Sequence, residues 1–276
     1  MDTLIILIKV LVSAYAALLV LAYFYQDGLI FLPQQLSGLE LQAIASRHAQ
    51  AEQVHLPADD GVTLHGWFLG AGGTQASRAP LLVYYGGNAE EVSWLLGEAG
   101  RFAGYSLLLM NYRGYGGSSG KPGESVLYAD ALRVFDYAAS RADVDARRIV
   151  IMGRSLGTAM AVRVAARRAV RAVLLVSPYD SMVELGRRHH AYLPVSLLLR
   201  HRFDASADAP KAKAPLQVLV ASRDSIVPLE HSRRLAGAWG GPHSWREIAD
   251  ADHIDITSSP AYWKAIAEFL AQMRGT

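Results

Sequence analysis

The sequence contains no cysteine. That excludes a disulfide scaffold, a thiolate nucleophile and Cys-ligated zinc or iron–sulfur centres. It leaves the redox compartment open, because a large core is stable in an oxidising space without disulfides. Charge of one sign is also lacking: 27 Lys and Arg against 25 Asp and Glu leave a formal +2. A dedicated nucleic-acid binder is far more basic, so no nucleic-acid partner is expected. There is no H-E-x-x-H motif and the histidines are scattered, so no metal is expected. Gly114-Tyr115-Gly116 lacks a third glycine at the spacing of a phosphate cradle, and no cofactor is expected. No internal repeat is evident.

What remains is apolar. Hydrophobic residues make up 51% of the chain, slightly above the roughly 45–50% of soluble domains, and the excess sits at the start. Leu4 to Tyr25 is apolar apart from Lys9, Ser13 and the tyrosines. A helix needs roughly 20 such residues to cross a bilayer. Ala14-Tyr15-Ala16 resembles a signal-peptide cleavage site, but the apolar run before it is interrupted by Lys9 and continues beyond it, and no Lys or Arg precedes that run, which favours an uncleaved anchor over residues 3–25. Lys9 lies in the N-terminal half, and the next basic residue is Arg47. The positive-inside rule then favours a single-pass protein whose body is extracytoplasmic, on the periplasmic or lumenal side.

The 276 residues suit one large α/β domain or two small ones. Residues 26–51 read as a juxtamembrane connector with a helical stretch at Leu39–Gln50, and 52–276 as the catalytic body. Glu52–Leu56 and Thr63–Leu69 alternate around Asp59-Asp60-Gly61, a hairpin signal. Six apolar runs follow: 81–85, 106–112, 148–152, 172–177, 216–221 and 244–248. Helical patterns fall near 89–103, 125–142, 156–168, 229–238 and 261–273. Such alternation predicts a parallel sheet with helices on both faces. Residues 181–209 carry no strand pattern and read as a cap insertion, and Gly70 to Arg78 reads as a surface loop.

Gly153-Arg154-Ser155-Leu156-Gly157 fits G-x-S-x-G, the nucleophile elbow between a strand and a helix. Gly116-Gly117-Ser118-Ser119-Gly120 fits it equally. Ser155 follows a strand-like run and opens a helix-like one, whereas Ser118 is followed by Lys121-Pro122-Gly123, which no helix continues. Ser155 is the candidate nucleophile. A serine hydroxyl needs a base, and the base an orienting carboxylate. Asp224, just after a strand, is the candidate acid, with Asp180 as runner-up. Among the downstream histidines, His231 falls inside a helix and His243 precedes a strand. His253 follows one, at the sheet edge where Ser155 and Asp224 emerge, and is the candidate base. The oxyanion requires two backbone N–H donors. Leu156 supplies one and Asn88, in the loop after the third strand, the other; Asn88 is equally suited to capping a following helix.

These residues resemble the membrane-anchored abhydrolase-domain serine hydrolases of the α/β-hydrolase superfamily, the serine aminopeptidase-like branch. The resemblance runs from the anchor to the C-terminus. It rests on Tyr84–Glu90, on Asn111-Tyr112-Arg113-Gly114-Tyr115-Gly116 with Ser118 and Gly120, on Gly153–Thr158, on Asp224 with Val227-Pro228, and on Asp252-His253. It implies the α/β-hydrolase fold with an eight-stranded, mostly parallel sheet, a Ser–Asp–His triad, and hydrolysis of ester, thioester or related acyl bonds. Family members carry His-Gly-Asn where this chain has Gly86-Gly87-Asn88. The family label also leaves peptidase activity open, and a membrane-anchored scaffold with a degenerate site is the non-enzymatic alternative.

The insertion at 182–202 flanks Tyr192 to Leu199 with Arg187, Arg188, His189, His190, Arg200, His201 and Arg202. It reads equally as a cap burying its leucines on the body or as a lid. A lid would admit an acyl chain, with its basic residues turned to anionic headgroups. The expected partners are a lipid-like or acylated small molecule and the membrane itself.

Overall fold

The computed structural model describes residues 2–71, 78–102 and 104–275; most of the expected Gly70–Arg78 loop lies outside them. Helix α1 (Asp2–Ile30) and helix α2 (Gly38–Arg47) precede the sheet. The strands are β1 (Ala51–Pro57), β2 (Thr63–Leu69), β3 (Ala79–Tyr85), β4 (Ser106–Met110), β5 (Val144–Arg154), β6 (Ala172–Val176), β7 (Leu216–Ala221) and β8 (His243–Ile248). They form one eight-stranded sheet in the order β1-β2-β4-β3-β5-β6-β7-β8. The expected hairpin β1–β2 is antiparallel, as is β2–β4, and every later pairing is parallel. This is the α/β-hydrolase architecture that the family resemblance implied.

The five central strands are covered on both sides, which is why they read as unbroken apolar runs. One face packs against α3 (Glu124–Ser140), α4 (Gly157–Ala165) and α8 (Leu229–Ala238). The other face packs against α9 (Pro260–Gly275) and two 3₁₀ turns, Val92–Leu96 and Ala99–Phe102. These turns replace the helix expected near 89–103. Gly97 and Gly100 punctuate that run and Gly104 follows it, and each glycine costs a helix roughly 1 kcal/mol relative to alanine.

The expected cap insertion is present as α5 (Met182–His189), α6 (Val195–Leu198) and α7 (Ala205–Asp208). Val183, Leu185 and Val195 turn inward and Leu197 outward. Part of the basic set is paired at the surface: Arg187 with Glu184 at 2.6 Å, and Arg200 and His201 with Asp27 at 2.6 and 3.0 Å. Helix α1 is long and apolar enough to cross a membrane, a test that a signal sequence also passes. It continues five residues beyond Tyr25, so the start of the expected connector is helical.

Candidate active site

The nucleophile elbow is built from close approach. Ser155 sits between β5 and α4 at φ +49°, a left-handed conformation that costs a non-glycine residue of order 1–3 kcal/mol and persists only where its surroundings enforce it. A Cβ at Gly157 would run into the carbonyls of Tyr85 and Gly86, and one at Gly153 into the Gly157 backbone. The glycines of the motif are therefore steric requirements, and the strained serine is lifted above the strand ends.

Asp224 emerges after β7. One of its carboxylate oxygens accepts the backbone N–H groups of Ile226 and Val227, at 3.1 and 2.7 Å. His253 follows β8 in a loop that Asp252 organises by accepting the N–H groups of Ile254 and Asp255. His253 Nδ1 lies 2.8 Å from Asp224 Oδ2, and Nε2 lies 2.9 Å from Ser155 Oγ. In the tautomer with its proton on Nδ1, the imidazole donates to Asp224 and accepts from Ser155. Burial alone would raise the Asp224 pKa, but its hydrogen bond and charge interaction with His253 and the Val227 N–H hold it below the ordinary carboxylate value. The Asp224 side chain is fully shielded from solvent.

Asn88, Ser155 and Leu156 line one apolar chamber. Among the described residues, the backbone N–H groups of Asn88 and Leu156 have no acceptor. Asn88 does not cap a helix; Glu91 caps the 3₁₀ turn that follows. Its side-chain amide donates instead to the Ile30 carbonyl at the end of α1. The two motif tyrosines hold the same loop, Tyr112 donating to the Gly86 carbonyl at 2.8 Å and Tyr115 to the Asn88 carbonyl at 2.6 Å. The glycine at position 86, where the family carries histidine, therefore leaves the loop fixed.

The other candidates fall elsewhere. Asp180, the runner-up acid, is 2.8 Å from His231 Nδ1 and also binds Arg234. His231 is within α8, and His243 opens β8 at its far end. Ser118 is buried, accepting from the His65 N–H at 2.8 Å and donating to the Asn111 carbonyl at 3.2 Å.

Two residues carry no signal in the sequence that marks their role. The Glu90 carboxylate takes four donors: the Tyr84 hydroxyl, the Trp94 indole, the Gly87 N–H and Arg154. Arg154, the variable residue of G-x-S-x-G, also donates to the His253 carbonyl at 3.1 Å. Burial, the largest single influence, works to lower the Arg154 pKa, and the charge and hydrogen bond of Glu90 together with Tyr84 and Tyr262 raise it above the ordinary value. The pair ties the Asn88 loop to the His253 loop from beneath.

Residues 136–272 match the family model described as serine hydrolase. The chain is 32% identical over 251 residues to the uncharacterized protein Rv2307c of Mycobacterium tuberculosis, covering 90% of this chain and 88% of the relative. It is 27% identical over 287 residues to the alpha/beta hydrolase domain-containing protein WAV2 of Arabidopsis thaliana, covering 94% and 91%. An esterase from Pyrococcus furiosus shares the fold, with a TM-score of 0.66 at 18% identity over 89% of this chain and 97% of that one. With the elbow, the sheet order and these matches together, the chain belongs to the serine hydrolases of the α/β-hydrolase family.

Proposed function

We propose that the protein hydrolyses carboxylic esters or thioesters of lipid-like or acylated substrates through Ser155, His253 and Asp224. Ser155 Oγ attacks the carbonyl carbon as His253 Nε2 takes its proton. The N–H groups of Asn88 and Leu156 receive the oxyanion. Collapse expels the alcohol or thiol, which leaves with the proton from the imidazolium, and the acyl group remains on Ser155. His253 then deprotonates a water that attacks the acyl-enzyme, and the carboxylic acid departs. Asp224 stays ionised and holds the imidazole in the required tautomer.

The observation that carries this reading is the continuous Oγ–imidazole–carboxylate chain, 2.9 and 2.8 Å, opening beneath an apolar chamber. An uncleaved α1 tethers the body to a membrane, with Lys9 on the cytoplasmic side and the hydrolase outside. A fluorophosphonate probe should label the folded wild-type protein and fail to label Ser155→Ala. Labelling that persists in the variant would sink the assignment, and a folded wild type that never labels would favour a degenerate scaffold. Faster turnover of aminoacyl amides than of acyl esters would favour a peptidase.

A further inference from the structure

The chamber above Ser155 has a wall that the hydrolase body does not supply. Its cavity, about 270 Å³, is bounded on one side by Leu185 and Leu198 of the cap and on another by Ala22, Gln26 and Ile30 of α1. We propose that α1 is a substrate-binding element as well as a tether: its last turns and the cap form a slot that takes the acyl chain of a bilayer-resident ester or thioester directly from the membrane. This rests on the serine-hydrolase reading above and names its substrate class.

Three observations point the same way. First, α1 is latched to the cap by the few polar residues it has. The Tyr15 hydroxyl donates to the Tyr192 carbonyl at 2.8 Å, and the Gln26 amide donates to the Leu198 carbonyl at 3.1 Å. The Gln26 oxygen accepts the Arg200 N–H at 2.7 Å. Gln26 is the buried residue of a helix that is elsewhere exposed or, at Leu19, Ala22 and Ile30, partly buried. A passive tether has no use for such contacts, and the one from Tyr15, within the spanning stretch, pairs a polar group that is costly there unless paired.

Second, the depths agree. At 1.5 Å per residue, a hydrocarbon core roughly 30 Å thick takes about 20 residues of α1, fewer than the helix has, and with that layer set over Asp2 to Leu21 the last turns stand clear of it. The turns after it flank the chamber. Tyr15 lies six residues before Leu21, roughly 9 Å inside that layer, and it holds the cap tip at Tyr192. The tip exposes Tyr192 and Leu197, and an interfacial apolar element sits roughly 5–10 Å deep. Non-helical backbone at such depth must have its polar groups satisfied, and the Tyr15 hydroxyl does this for the Tyr192 carbonyl.

Third, the arginines of the cap are already engaged. Arg187, Arg188 and Arg200 face Glu184, Glu230 and Asp27, and Arg202 donates to the Ser196 carbonyl. These arginines form part of the cap's own bonding, while the chamber beside them is lined mostly by apolar side chains, which puts recognition on the chain.

The test uses the full-length protein in phosphatidylcholine vesicles. Ala22→Trp narrows the wall, and Gln26→Leu releases the latch without filling the slot. The readout is the ratio of kcat/KM for a palmitoyl ester to that for a butyryl ester, with short-chain fluorophosphonate labelling as the check on Ser155. Each variant should still label, while the ratio falls about tenfold in Ala22→Trp and about threefold in Gln26→Leu. If Ala22→Trp fails to fold, Gln26→Leu decides alone. Labelled variants with an unchanged ratio overturn the inference and leave the hydrolase reading intact. A wild type that neither labels nor turns over ester overturns both. In a mixing arm, palmitoyl ester placed in the protein's own vesicles should turn over about tenfold faster than the same ester in separate vesicles. Equal rates overturn direct entry from the bilayer.

Discussion

Gly153–Gly157 and Gly116–Gly120 obey the same five-residue pattern and do opposite things. In the first, the serine takes the strain, at φ +49°, and its hydroxyl is presented to a histidine. In the second, the glycines take it: Gly116 and Gly120 sit at φ +52° and +81°, and the serine faces inward to tie β2 to the end of β4. Where the left-handed residue falls decides whether the hydroxyl is a nucleophile or a structural bond. The residues just after each serine set that position. An open helix N-terminus leaves the Leu156 N–H free for an oxyanion, whereas the Lys121-Pro122-Gly123 turn leads away from any such site.

The largest expected effect sharpens this contrast through the two buried Asp–His pairs, only one of which leads to a serine. Asp224→Asn removes the acceptor that fixes the His253 tautomer and should lower kcat about 10⁴-fold. Asp180→Asn disturbs a pair of equal length, 2.8 Å, but one that ends on His231 and Arg234. Its turnover per folded molecule should stay within about threefold, while stability drops by about 2–3 kcal/mol as a buried network loses its charge. Steady-state kinetics beside thermal melts check both. A loss of turnover in Asp180→Asn equal to that in Asp224→Asn would break the comparison.

A middle-sized effect reverses the roles of the two serines. Ser118→Ala strands the His65 N–H and the Asn111 carbonyl in the interior, a cost of about 1–3 kcal/mol, and should leave fluorophosphonate labelling intact. Ser155→Ala strands nothing buried and should melt within about 0.5 kcal/mol of wild type while losing all labelling. Denaturation midpoints for the two variants give the answer directly.

Most of the sheet is legible in the sequence because the central strands are buried on both faces and their runs cannot be mistaken for alternating ones. The three candidate residues of the site are legible for a related reason: Ser155, Asp224 and His253 each follow a strand, so order along the chain maps onto one edge of the sheet. The run at 89–103 misleads because its apolar spacing is helical while its glycines are not. Glu90 with Arg154, and Gln26 with the cap, are invisible because each joins segments far apart in the chain and no local pattern records the partner. The arginines of the insertion read as a free basic patch for the same reason; the residues that neutralise them include Asp27, on α1, and Glu230, on α8.

The smallest expected effect concerns the floor under the second pentapeptide. His65 on β2 lies beneath Gly117, with its Nδ1 buried and unpartnered among the described residues and its Nε2 3.2 Å from Gln53. Burial, and then the neighbouring His55, lower its pKa from 6.5 to about 4. The folded state therefore stays neutral where the unfolded chain takes up a proton. Above pH 6.5 both states are neutral and the stabilisation is complete; between 6.5 and 4 the unfolded state binds the extra proton and stability falls. At pH 5 the loss should be about 1–2 kcal/mol relative to pH 7, read as a drop in the melting temperature of full-length protein. His65→Gln should flatten that part of the profile. A wild-type slope that survives the substitution would assign it to other groups and detach the acid response from the Ser118 loop.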